Sequence, residues 1–166
     1  MSDRVRGYAH RVDISGEVPA VWSAFTEGVH LVRWCAPDAQ LRPRAGAKPS
    51  DPPAFFRATV DRVTQMEAHI DVYVANRRLR LIYLESATLP ATETAIVADF
   101  ILEPATAPGG GSILRVLGSG IPDGPQWDTQ FKRMKVGWGA ALSRLKVYVE
   151  TQMPRHIAVA RAPGRS

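Results

Sequence analysis

WDTQFKRMKVGWGAALSRLKVYVETQ, from Trp127 to Gln152, carries the longest sustained helical period in the chain. Phe131, Met134, Trp138, Ala141, Leu142, Leu145 and Val149 recur at intervals of three and four, which places them on one stripe. Lys132, Lys135, Arg144 and Lys146 fall mainly on the flanks and the far side. Asp128 is placed to cap the start, because its carboxylate can accept the free N–H groups of a first turn. Pro154 ends the pattern. A helix of about 23 residues would be roughly 35 Å long, enough to cross a small domain. Its stripe needs an apolar surface against it, and the chain before it reads as strands, so that surface is a sheet. Gly137 and Gly139 each cost about 1 kcal/mol of helix propensity. They make sense where something packs close to the helix backbone.

Working outward, Val5 to Ile14 reads as a first strand, and Ser15-Gly16 turns the chain. Pro19 suits the first turn of a short helix faced by Val18, Val21, Trp22 and Phe25, with Gly28 as terminator. A second short helix runs from Val29 to Trp34, and Pro37 blocks its continuation. Ala39 to Arg44 is a short edge strand, followed by a proline-rich loop. Phe55 to Val63, Ala68 to Val74 and Leu79 to Leu84 alternate as strands, the last two joined by a turn at Asn76-Arg77. Thr92 to Glu103 is the longest strand, with Ile96, Ala98, Phe100 and Leu102 on one side. APGGGS, Ala107 to Ser112, is a hairpin connection. It lacks the Lys-Ser/Thr of a phosphate loop and is not a strand-to-helix turn. Ile113 to Leu117 is the last strand, and the glycines and prolines of Gly118 to Pro125 read as a loop into the long helix. The fold class is therefore α+β: a curved antiparallel sheet of about six or seven strands wrapped around a long C-terminal helix. A twisted sheet and a straight helix touch along a line and diverge elsewhere, leaving space for side chains or a ligand.

Bulk properties fit one such domain. The 166 residues are 45% apolar and 22% charged, with a formal net charge of +5. Residues 1–153 are expected to form a single domain, and residues 154–166, holding Arg155, Arg161 and Arg165, a mobile basic tail. Dispersed basic charge concerns solubility and encounter, so nucleic acid is not the expected partner. The single cysteine, Cys35, excludes an intramolecular disulfide, and its apolar surroundings suit a buried thiol better than a nucleophile. No metal is expected, because His10, His30, His69 and His156 lack ligand-like spacing. No nucleophile elbow frames a serine. The start has no apolar core of a signal sequence, and no stretch reaches the roughly 18 apolar residues of a membrane span. The expected location is cytoplasmic.

Three stretches carry a family resemblance: VPAVWSAFTEGVHLVRWCAPDA (Val18 to Ala39), GGGSILRVLGSGI (Gly109 to Ile121) and MKVGWGAALSRLKVYVE (Met134 to Glu150). The chain resembles the helix-grip proteins of the steroidogenic-acute-regulatory and birch-pollen-allergen superfamily (START-like, SRPBCC). More narrowly, it is similar to the bacterial branch named after the activator of the Hsp90 ATPase. Gly137-Trp138, Leu142, Leu145 and Lys146 match that branch's helical motif. AKPSDPPAFF and QMEAHIDVYVANRRL depart from its usual glycine-rich hairpin, which alters the expected pocket rim. The superfamily includes hydrophobe carriers, hormone receptors, polyketide cyclases and co-chaperones, so the resemblance implies a fold more than an activity.

The expected function is binding of a small hydrophobic molecule between the helix and the sheet, with no cofactor. Met134, Trp138 and Leu142 from the long helix, Trp22, Phe25 and Trp34 from the short helices, and Tyr83 and Phe100 from the sheet are the candidate ligand-binding residues. Asp99 is the candidate polar pocket group, because a carboxylate in an apolar strand either faces water or must be paired; Arg80 and Arg115 are candidate partners. His69, Asp71 and Tyr73 alternate on one strand face, about 6.6 Å apart in successive pairs, and are expected to face solvent. Two alternatives stand beside the carrier: a co-chaperone-like interaction module acting on an ATPase, and a polyketide-cyclase-like enzyme with convergent polar groups in its cavity. Val97, Ile101, Ile82 and Leu84 form an outer apolar strip that a homodimer or the tail would cover.

Overall fold

The computed structural model describes residues 4–60, 64–86 and 89–153. Strands β1 (Val5–Ile14), β2 (Gln40–Arg42), β3 (Phe55–Val60), β4 (Thr64–Val74), β5 (Arg78–Tyr83), β6 (Val97–Pro104) and β7 (Ser112–Pro122) form one sheet. All pairings are antiparallel, in the order β1-β7-β6-β5-β4-β3-β2. Helices α1 (Val18–Thr26) and α2 (Gly28–Trp34) follow β1, and a short 3-10 turn, Pro125–Trp127, leads into α3 (Asp128–Thr151). This is an α+β helix-grip fold. The expected tail 154–166 and the proline stop at Pro154 lie outside the described residues.

Alternation decides which face is core. In β5, Leu79, Leu81 and Tyr83 are buried, and in β6 Phe100 and Ala98 are buried opposite Leu79 and Leu81, with Leu102 buried on the same face. The stripe of α3 buries Met134, Trp138, Ala141, Leu142, Leu145 and Val149 on that inner face, joined by Tyr148. Each large side chain so buried contributes about 1.5–3 kcal/mol of transfer free energy. Trp34 ties the two short helices together by donating its indole N–H to Ala24 O at 2.7 Å. Arg144 of α3 then donates to Trp34 O at 2.8 Å, fastening the helix to the end of α2.

Four local readings change. Asp128 does not cap α3: Trp127 occupies the cap position without a side-chain bond. Asp128 sits in the first turn and accepts a 2.7 Å bond from Arg6, whose guanidinium also donates to Pro122 O and Gly124 O and lies over the Phe131 ring. The longest expected strand starts later, at Val97. The last strand runs on to Pro122, through glycines read as a loop. Those glycines serve close approach: a Cβ at Gly118 would stand 2.1 Å from the Tyr8 ring, and Gly120, at φ +83°, would meet Ala95 O at 1.9 Å. Finally, the β4–β5 register shifts between Ile70 and Val72. This bulge splits the trio of alternating polar residues. His69 pairs opposite Ile82 on the outer face, Asp71 bonds to Arg80, and Tyr73 turns inward opposite Leu79 to meet the Trp22 ring at 5.2 Å.

The two helix glycines differ in the same way. At Gly139 an added Cβ would approach His10 ring atoms at 3.0–3.4 Å, and His10 Nε2 is 2.6 Å from Lys135 O. A carbonyl only accepts, so Nε2 is the protonated nitrogen there. At Gly137 an added Cβ meets nothing within 4 Å. Gly137→Ala should therefore stabilise the protein by about 1 kcal/mol in chemical denaturation, the full helix-propensity gain. Gly139→Ala should gain clearly less or destabilise, and equal gains at both positions would contradict the close seating of α3 on β1.

Candidate functional site

The backbone of α3 lies closest to β1, α1 and α2, at one side of the sheet. Toward β3, β4 and β5 it stands off, and a cleft of about 940 Å³ opens there. From α3 the lining includes Met134, Gly137, Trp138 and Ala141. These positions follow the helical repeat, and two of them are small, so the side of the helix that faces the cleft leaves space beside the Trp138 ring. Cys35 and Ala36 line it from the end of α2, Met66 and Tyr83 from the sheet, and Leu89 from the segment after β5. Buried Tyr83 and Trp138 form its floor. Exposed Lys132 and Arg144 stand at its mouth, together with Arg133, Asp38 and Thr59.

Polar groups on the floor are few. Trp138 Nε1 donates to the Tyr83 hydroxyl at 2.7 Å in a buried contact. Burial pushes the Tyr83 phenol up to about 12, with the Trp138 and Tyr8 contacts pulling the other way. Tyr8 lies behind it, its ring seated over Gly118. Burial first, and then the neighbouring Tyr83, drive the Tyr8 phenol upward as well. The two hydroxyls interact with each other, and Tyr8 Oη has no other hydrogen-bond partner among the described residues. The Cys35 thiol is pushed up to about 12, mainly by burial, with Arg144 opposing. At the mouth, Asp38 accepts from the Thr59 hydroxyl at 2.6 Å and the Thr59 amide at 2.8 Å. These bonds hold its carboxyl below the usual carboxylate range.

Of the residues singled out from the sequence, Tyr83, Met134 and Trp138 line this cleft. Trp22, Phe25, Trp34, Phe100 and Leu142 are buried outside its lining. They form the packed support behind it: Phe25 meets Trp22 at 5.0 Å and Phe100 at 6.1 Å, and Phe100 meets Trp138 edge-on at 4.9 Å. Asp99 is not a pocket group. In β6 it alternates out of phase with Phe100, so it points from the outer face, where Arg78 donates two bonds to it at 2.6 and 3.0 Å. Arg80 approaches the same carboxylate at 3.6 Å, whereas Arg115 pairs with Glu103 instead. Those pairs also break the outer apolar strip of Ile82, Val97 and Ile101. The residues missed include the small Ala36, Gly137 and Ala141 and the larger Cys35, Met66 and Leu89; for Gly137 and Ala141 the signal was small positions beside Trp138 on the helix stripe. Among the described residues no cluster of three or more His, Cys, Asp or Glu is arranged to hold a metal ion. No helix of the described residues is long and apolar enough to cross a membrane.

The family model described as Activator of Hsp90 ATPase homolog 1-like protein matches residues 17–150. The chain belongs to this family. No curated protein matches it in sequence. Among solved structures it is similar to protein MLL2253 from Mesorhizobium loti, with TM-score 0.65 and 18% identity over 91% of this chain and 98% of that one. It is also similar to the Aha1 dimer from Colwellia psychrerythraea, with TM-score 0.64 and 16% identity over 88% and 97%. A third is DynU16, a putative protein in the dynemicin biosynthetic locus, with TM-score 0.63 and 19% identity over 91% of this chain and 48% of that one. Identities this low show a shared fold, and the family's helix-grip frame is common to all three.

A thiol held protonated by burial is a poor nucleophile, because the thiolate is the reacting form. Native protein at pH 8 should react with a disulfide reagent such as DTNB at least about a hundredfold more slowly than the same chain unfolded in denaturant. Comparable rates would show an exposed or activated Cys35.

Proposed function

We propose that this member of the family binds a small hydrophobic molecule in the cleft between α3 and the β3–β5 side of the sheet. The carrying observation is the opening itself, about 940 Å³, where α3 leaves the sheet. Its volume falls within the range of small-molecule pockets, and its floor is apolar apart from a few placed groups. Burial of ligand surface there is favoured by about 25 cal/mol per Å². Lys132, Arg133 and Arg144 at the mouth suit a ligand whose outer end is polar.

The two other readings draw less support. Action on an ATPase rests on the family's description, and no feature of the described surface indicates where such a partner would sit. A cyclase-like enzyme needs a group able to exchange protons inside the cleft. Tyr83 and Cys35, the titratable groups nearest the floor, are both driven to about 12 and held as neutral donors. The outer face, its apolar residues interrupted by the Arg78–Asp99 and Arg115–Glu103 pairs, supports a homodimer less well than the cleft supports a ligand.

Native mass spectrometry of freshly purified protein against a denatured sample tests the reading directly, through a co-purified mass released on unfolding. A plugging variant supplies the control. Gly137 lines the cleft with open space above it, so Gly137→Phe should place a ring in the opening while keeping the helix. It should retain wild-type thermal stability and weaken binding of a fluorescent hydrophobe such as anilinonaphthalene sulfonate by about tenfold or more. Unchanged binding in a folded Gly137→Phe protein would remove the cleft as the site.

A further inference from the structure

On the sheet, Arg6, Arg11, Arg57, Arg78, Arg80 and Arg115 each have a carboxylate partner. Arg144 forms no such pair among the described residues. It is an exposed residue of the cleft lining, and its Nε donates to Trp34 O at 2.8 Å. That bond goes to a neutral carbonyl, so it positions the guanidinium without cancelling its charge. Asp38, the carboxylate of the described lining, uses both oxygens on Thr59 instead. The charge of Arg144 is nevertheless felt inside the opening, where it draws the Cys35 thiol downward against burial. An unneutralised cation therefore stands at the edge of an apolar cleft.

The lining also has a shape. Along α3 it begins at Thr129 and ends at Arg144, positions about 22 Å apart on the helix axis. From Met134 to Ala141 every lining residue of α3 is apolar or glycine. An opening that is long in one direction, apolar along its middle and cationic at its end suits a chain better than a compact ring system. A ligand ammonium would be repelled by Arg144 and by Lys132, which lines the other end and is also unpaired among the described residues. An anionic head fits: at the exposed mouth it keeps part of its hydration, so the desolvation cost that excludes a lone charge from the floor is small. Arginine also offers two parallel N–H groups to a carboxylate or phosphate. We propose that the ligand is a chain-like amphiphile with an anionic head, its chain lying along α3 in the cleft and its head paired with Arg144. The proposal rests on the reading that the cleft takes a small hydrophobe, and it adds that hydrophobe's charge and orientation.

Two probes with the same chain separate the claims: dodecanoate, which carries the anionic head, and 1-dodecanol, which does not. Wild-type protein, Arg144→Gln, Arg144→Lys and Lys132→Gln are titrated with each by Trp fluorescence, below the micelle concentration. The ratio of association constants, acid over alcohol, should fall about fivefold in Arg144→Gln and stay within about twofold of wild type in Arg144→Lys and Lys132→Gln. The wild-type protein alone supplies a second readout, which also decides the matter if Arg144→Gln loses its fold with the bond to Trp34. Raising the salt from about 0.02 to about 0.5 M should weaken dodecanoate binding about threefold and leave dodecanol binding no weaker. An unaltered ratio in folded Arg144→Gln, a fall in Lys132→Gln in its place, or dodecanoate binding indifferent to salt overturns the anionic-head proposal while the hydrophobe reading stands. Failure of wild type to bind either probe overturns both.

Discussion

A straight helix cannot follow a twisted sheet along its whole length, and here the contact is spent on one side. Gly139 lets α3 settle against His10, whose ring reaches the Lys135 carbonyl at 2.6 Å. Arg6 grips the start of the helix through Asp128 and the Phe131 ring, while Arg144 holds its middle to the end of α2. With the helix pinned to β1 and the short helices, divergence is forced toward β3, β4 and β5. The cleft follows from that asymmetry. It is the gap left by a helix seated off-centre.

What keeps the gap from collapsing is the rigidity of its walls. Trp138 cannot swing into the space, because its ring is packed edge-on against Phe100 and its N–H is bonded to Tyr83. Phe25 and Trp22 back Phe100 in turn, so the aromatic series from α1 to α3 supports one wall. Those residues stand outside the lining of the cleft and still support its wall: loss of any one would let Trp138 relax into the void that its neighbours now deny it.

The frame was largely legible in the chain because each element keeps its own period. The stripe from Met134 to Val149 and the alternation of β5 and β6 specify burial without reference to anything distant. Legibility fails where one residue breaks the period or where tertiary approach sets the residue type. One irregularity near Asp71 reverses the face of Tyr73, and no local signal marks it. Gly118 and Gly120 look like loop residues until Tyr8 and Ala95 are seen against them. The site suffered in a related way. Apolar periodicity identifies what is buried, but core and cavity wall are both buried, so large aromatics attract attention that belongs to the small residues beside them. Trp22, Phe25 and Phe100 read the same as Trp138 in sequence. Only the sheet's divergence from α3 places one at the opening and the others behind it.

The same geometry constrains the chemistry within the cleft. Withdrawal from water disfavours every charged form, so Tyr83 and Cys35 hold their protons across the physiological range. The charged groups among the described lining residues, Lys132, Arg133, Arg144 and Asp38, stand at the mouth, and Asp38 is already bonded to Thr59. Proton transfer at neutral pH requires a group poised between two states, whereas these are fixed in one. The indole of Trp138 donates to the Tyr83 oxygen, so the polar tips of both floor aromatics are already engaged within the protein.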